Sequence, residues 1–276
     1  MVRKMMAVCM GLGFLAVLAV PTAAGAAETD GTVYVVHGIP GVPVDVYVNG
    51  AEQLPGFQPG TVAGPLTLPA GDYTIKILKA GDPATGTAVI DTKVTLPAGA
   101  NASLVAHLDA SGKPVLTTFV NDTSAAPAGD GRLVVRHTAA APAVDVLANG
   151  SAAFTNLVNG KEAQANLPAG TISAAVVATG TTTPALIGPA DVPVTAGMAT
   201  VVYAVGAPAS GSTASTLGVV TQQIPLAGAA MSVNTGTAGL LDSDGGVPML
   251  AVAGIGLALV VLMTSVGALH RARTSA

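Results

Sequence analysis

Apolar and polar positions alternate with a period of two through much of the chain. Val44, Val46 and Val48 alternate with Asp45, Tyr47 and Asn49, and Tyr73, Ile75 and Ile77 alternate with Thr74 and Lys76. Ile90, Thr92 and Val94 interleave with Asp91, Lys93 and Thr95; Ala102, Leu104, Ala106 and Leu108 interleave with Ser103 and His107. Successive strand side chains point to opposite faces, so this period predicts half-buried strands, one face to a core and one to water. Glycine and proline punctuate the runs. Asn49-Gly50 is a tight-turn signal, and Pro-Ala-Gly stands just before two strands. No segment up to Ala227 sustains a 3.6-residue apolar period beyond the N-terminal run.

The pattern is written twice. Val33–Ala51 reads VYVVHGIPGVPVDVYVNGA, and one hundred positions later Leu133–Ser151 reads LVVRHTAAAPAVDVLANGS. His37 pairs with His137, Asp45 with Asp145, and Asn49-Gly50 with Asn149-Gly150. Leu68–Gly71 recurs as Leu167–Gly170, and Val94–Gly99 as Val192–Gly197. The second copy repeats the strands through Val144–Ala148, Ile172–Val176 and Ala199–Val205. A period of about a hundred residues suits two complete small domains rather than solenoid units. Short strands with regular turn signals predict an all-β fold of two tandem immunoglobulin-like β-sandwich domains. At roughly 95 residues each, such domains bury enough to fold without a staple.

The ends predict export and anchoring. Arg3-Lys4, the apolar Met5–Val20 and the small residues around Ala24-Gly25-Ala26 follow the order of a cleaved secretory signal, residues 1–27. Repeat 1 then covers 28–123, a linker 124–130, repeat 2 131–224, and a Gly/Ala/Ser/Thr tether 225–246. Val247–Leu269 carries no charge, and such a length of helix reaches roughly 35 Å, enough to cross a bilayer core. His270, Arg271 and Arg273 follow, so the expected topology is one C-terminal transmembrane helix with residues 270–276 as a cytoplasmic tail. The ectodomain is expected outside, with the plasma membrane as a partner.

Composition narrows the function classes. The only cysteine, Cys9, falls inside the signal, so the mature chain has no disulfide and no thiol chemistry. Between signal and span lie seven Lys/Arg and fifteen Asp/Glu, a net charge of −8. An acidic surface without basic runs argues against nucleic acid as a partner. There is no G-x-S-x-G elbow, H-E-x-x-H or phosphate loop, so the chain reads as non-enzymatic and without a cofactor.

The string His…Pro-x-Val-Asp-Val-x-x-Asn-Gly resembles the bacterial domain-of-unknown-function family 4397. Its members look like secreted or surface proteins. The resemblance covers about Gly31–Phe119 and Gly131–Thr221 as two tandem copies. His37, Pro43, Asp45, Asn49 and Gly50 carry the first, and His137, Pro142, Asp145, Asn149 and Gly150 the second. The proline falls one position earlier in the second copy, and the resemblance brings no activity or substrate.

The pairs His37/Asp45 and His137/Asp145 keep their spacing in both copies, and each could meet across a hairpin. One reading is a metal or ligand site, from imidazole plus carboxylate. The other is structural, with the aspartate taking backbone N–H groups; two side chains leave a metal underligated, which favours this second reading. Asp242–Gly245 imitates the start of a calcium loop without the later ligands, and three Asn-x-Ser/Thr triplets match glycosylation acceptors by chance. The expected role is a structural or interaction module at the bacterial envelope, with contacts made by His37–Pro43 and His137–Pro142. The partners would be an envelope glycan or another surface protein. A carbohydrate-binding module, with Tyr47, Phe57 and Tyr73 as the aromatic faces, is one alternative. A sortase-attached wall protein, with Ser232–Gly236 as a degenerate sorting string, is the other.

Overall fold

The computed structural model describes residues 29–210 and 214–228. The expected signal, tether, transmembrane helix and tail lie outside these residues, apart from Pro225–Gly228 of the tether. Among the described residues there are strands and no helix, and none that could cross a membrane as a helix.

Each repeat contributes eight strands. The first carries β1 (Gly31–His37), β2 (Val44–Val48), β3 (Ala51–Phe57), β4 (Val62–Leu68), β5 (Gly71–Lys79), β6 (Ile90–Leu96), β7 (Asn101–Leu108) and β8 (Pro114–Val120). The second carries β9 (Asp130–His137), β10 (Val144–Ala148), β11 (Ser151–Leu157), β12 (Lys161–Pro168), β13 (Gly170–Ala178), β14 (Ala185–Val194), β15 (Met198–Val205) and β16 (Gly218–Pro225). Four four-stranded sheets form, in the orders β4-β1-β7-β8 and β3-β2-β5-β6, then β12-β9-β15-β16 and β11-β10-β13-β14. Every described pairing is antiparallel except β1 with β7 and β9 with β15. The two repeats therefore share one topology.

That topology departs from the immunoglobulin order expected from the sequence. In the immunoglobulin sandwich the first and second strands lie in the same sheet; here β1 and β2 lie in different ones. The reason is local. A two-residue turn at Asn49-Gly50 folds β2 back on β3, whereas the six residues Gly38–Pro43 with two prolines carry the chain from one sheet across to the other. Asn49 (φ 50°) and Gly50 (φ 82°) both have positive φ, as do Asn149 (φ 50°) and Gly150 (φ 81°). That is the type I′ geometry matching strand twist, and asparagine and glycine tolerate it best.

Within each repeat the two sheets close on an aliphatic core. In repeat 1, Val33, Val35, Ala102 and Leu104 of one sheet face Val46, Ile75, Ile77 and Leu96 of the other. In repeat 2, Leu133, Val135 and Val202 face Val144, Val146, Val176 and Val192. A third cluster joins the repeats: Tyr34, Val36, Val105 and Phe119 from the outer face of β4-β1-β7-β8 pack on Val134, Val201, Tyr203 and Val220 of β12-β9-β15-β16. The two sandwiches are thus stacked back to back as four layers.

This contact corrects the half-buried pattern expected of β7. Alternation places Ser103 and His107 toward water, yet they are 0% and 1% exposed. β1, β7, β9 and β15 are central strands with the sandwich core on one face and the other repeat on the opposite face. The outer strand β6 keeps the alternation expected of it.

Candidate functional site

The motif residues fall at one end of β1, along β2 and in the turn that follows, and each has a structural occupation. Asp45 sits mid-strand in β2 and is 7% exposed. The β2–β3 ladder slips between Val44 and Val46, a bulge that leaves Gly56 in left-handed geometry at φ 56° with its amide out of the ladder. Asp45 Oδ1 accepts that amide at 2.6 Å, and Oδ2 accepts the Gly81 amide at 2.9 Å from the loop after β5. Asp145 repeats the arrangement: Oδ1 accepts Asn156 N at 2.7 Å and Oδ2 accepts Gly180 N at 2.8 Å. Asn156 takes the left-handed place of Gly56, at φ 53°. The amide of Asn156, followed by that of Gly180, holds the Asp145 carboxyl below its ordinary value.

The histidines do different work. His37 Nε2 lies 3.1 Å from the Val42 carbonyl and His137 Nε2 lies 2.8 Å from the Pro142 carbonyl. Both rings reach the carbonyl five residues ahead, so the one-residue displacement of the proline leaves the brace unchanged. Pro43 follows the carbonyl in repeat 1, and Pro142 itself carries it in repeat 2. Burial pushes both imidazoles below their ordinary value, and the carbonyl contact opposes this only partly. The rings are therefore neutral near pH 7. The Nδ1 atoms of both are buried without a partner.

Histidine and aspartate of each pair are consequently not joined to one another. Each carboxylate has both oxygens on backbone amides, and each imidazole closes its own loop. Among the described residues no group of three or more His, Cys, Asp or Glu is placed to hold a metal ion. The asparagines complete the set. Asn49 Oδ1 accepts Thr74 N at 2.9 Å while its own amide donates to Thr74 O, and Asn149 does the same with Ser173. The turn is thereby pinned to the third strand of its sheet.

The two loops expected to make contacts differ. In repeat 1, Gly41 and Val42 are exposed, Val42 at 47%. In repeat 2, Thr138, Ala139 and Ala141 are buried, because Thr138 bonds Ala204 O and the Asn159 side chain takes Ala139 O. Only Pro142 of that loop is exposed. The aromatic faces offered for sugar binding are also committed elsewhere. Phe57 and Tyr73 pack against the core of repeat 1, and the half-buried Tyr47 has its hydroxyl donating to Glu52.

A polar cluster that side-chain spacing does not reveal lies at the junction of the repeats. Arg136 is 1% exposed, stands over the Phe119 ring at 4.5 Å and the Tyr203 ring at 5.3 Å, and donates to Asn121 Oδ1 at 2.7 Å, Tyr203 OH at 2.8 Å and Glu162 Oε2 at 2.8 Å. Tyr203 in turn donates to Gln222 Oε1 at 2.6 Å, and Ser103 bonds Asn121. A signal did exist: Arg136 interrupts an apolar strand at the position held by Val36 in the first copy.

No curated protein matches the chain. Residues 31–147, which take in repeat 1 and the first two strands of repeat 2, match the family model described as Domain of unknown function (DUF4397), and this match supports that family for the chain.

Proposed function

We propose that the protein is a non-enzymatic, exported surface protein in which two copies of the DUF4397 domain form one stiff module, held at the plasma membrane by Val247–Leu269 with the tail in the cytoplasm. The observation that carries this reading is the junction. The two sandwiches meet over buried Tyr34, Val36, Phe119, Val134, Val201 and Tyr203, with Arg136 hydrogen-bonded in the middle. A continuous apolar core between domains favours a fixed spacing rather than the independent motion that small polar interfaces allow. A second copy of the family domain is supported by the identical strand order and by the repeated roles of Asp45/Asp145, His37/His137 and Asn49/Asn149.

A non-enzymatic role is supported by the same residues. The polar side chains repeated in both copies bond backbone groups, the histidines through Nε2, the aspartates through both carboxylate oxygens and the asparagines through Oδ1, a bracing function. Contacts with an envelope glycan or another surface protein then rest on exposed loops such as Pro40–Val42. Protease added to intact cells is expected to remove the ectodomain and leave a small membrane-bound stub. Protection of the whole chain would end the reading, and recovery joined to wall peptide through Thr235 would select sortase attachment instead.

A further inference from the structure

Between the sheets of repeat 1 lies a cavity of about 190 Å³. Its floor is built from Val33 and Leu104 of one sheet and Val46, Ile75 and Ile77 of the other, all 1–7% exposed. Its mouth is ringed by half-buried Leu54, Leu66 and Tyr73. The Tyr73 hydroxyl donates to Pro69 O at 2.6 Å, which fixes the ring at the rim. Besides that hydroxyl, which is already engaged by Pro69 O, Gln53 brings the lining's one polar side-chain group, and it is exposed. A stable interior water needs two to four polar partners, and these walls do not supply them.

The corresponding space in repeat 2 is smaller, about 110 Å³, and Asp191 and Thr221 stand on its lining. Repeat 2 also carries the smaller side chains, with Ala165, Ala148, Ala174 and Ile172 in register with Leu66, Val48, Ile75 and Tyr73. The larger cavity therefore does not arise from truncated side chains. Long aliphatic side chains wall a space that they do not fill.

We propose that this cavity is a binding site for one small apolar molecule, a hydrocarbon ring or alkyl chain. Apolar cavities of about 150 Å³ lined by aliphatic and aromatic side chains take up benzene or xenon, so this one admits about six to eight carbon atoms. The site is independent of the envelope role and of the His and Asp braces.

The full chain, purified in digitonin whose fused-ring body is too wide for the cavity, supplies the test. Benzene near aqueous saturation is expected to raise the unfolding midpoint by several degrees, because it binds only the native state. Leu104→Phe, which fills the floor, is expected to abolish the rise. Independently, benzene should shift the methyl resonances of Val33, Val46, Leu54 and Leu104 while leaving those of Leu133, Val135 and Val146 in place; this map decides if Leu104→Phe fails to fold. Octane and a phospholipid with eight-carbon tails are run alongside. A shift with octane alone assigns the site to free hydrocarbons, and a shift with both assigns it to a lipid tail. No rise in the midpoint, an equal rise in folded Leu104→Phe, or methyl shifts spread over both repeats would overturn the proposal.

Discussion

Asp45 shows how one carboxylate holds two distant backbone segments together. Its oxygens accept the amide freed by the β2–β3 bulge and an amide from the loop after β5. Asp45→Asn keeps one acceptor and turns an NH₂ group toward the other amide, so it is expected to destabilise the fold by about 1–3 kcal/mol in denaturant titration. Zn²⁺ or Ca²⁺ is expected to leave the melting temperature unchanged, since a ligand of the native state alone would raise it by mass action. A rise abolished by His37→Ala would reinstate a metal site. The buried histidines set a second residue-scale expectation. His37, His107 and His137 are all held below the ordinary 6.5, desolvation by burial being the main cause, and His137 adds repulsion to His107. The unfolded chain therefore takes up these protons first as pH falls, and stability is lost below 6.5. The unfolding free energy should be level from pH 8 to 7 and should decline from 6.5 toward 5, with a slope of at most three protons. Asp145, whose carboxyl is depressed below 3.8, adds its own loss only at still lower pH. A flat profile between pH 7 and 5 would show that these rings are not held neutral by the fold.

At the scale of elements, the central strands carry the junction, and Arg136 on β9 is its most committed polar group. Replacing it with methionine keeps much of the apolar stem but leaves Asn121 Oδ1 without this donor and removes one from Tyr203 OH. Glu162 is partly exposed and can hydrate, which lowers the cost below that of a fully buried broken pair. A loss of about 2–3 kcal/mol is expected, read as a lower denaturant midpoint, and an unchanged midpoint would mean the cluster adds no net stability. The sequence made the strand class legible wherever one face meets water. β2, β5 and β6 follow from alternation, and the tight turn that ends β2 from Asn49-Gly50. β3 was not legible, because Pro55-Gly56 interrupts its pattern at the bulge. The second faces of β7 and β9 were not legible either, because Ser103, His107 and Arg136 look like surface residues until another sheet covers them. Sheet order was hidden for a related reason: alternation tells which side chains share a face and says nothing about which strand lies alongside. The site was legible as a set of positions, while its occupation depended on backbone amides that no side-chain spacing reveals.

For the whole molecule the question is how far the two sandwiches depend on one another. Each has its own aliphatic core, Val46, Ile75 and Leu104 in one and Leu133, Val146 and Val176 in the other, so each has the means to fold. Separation, however, exposes Tyr34, Val36, Val105 and Phe119 on one half, and Val134, Val201 and Tyr203 on the other, together with Arg136, which keeps Glu162 and Tyr203 but loses Asn121. Contiguous apolar surface of that kind favours association. Residues 28–123 and 128–223, expressed alone, are each expected to give a β-type circular dichroism spectrum and a cooperative melt, at a lower temperature than the joined pair. Mixing the halves should restore part of the lost stability by mass action, and Arg136→Met in the second half should weaken that recovery. If neither half folds alone, the sheets β4-β1-β7-β8 and β12-β9-β15-β16 form one obligatory core, and the unit of folding is the pair. If both fold but do not associate, the junction is held by the short connection between β8 and β9 rather than by its contacts, and the stiffness proposed for the module is lost with it.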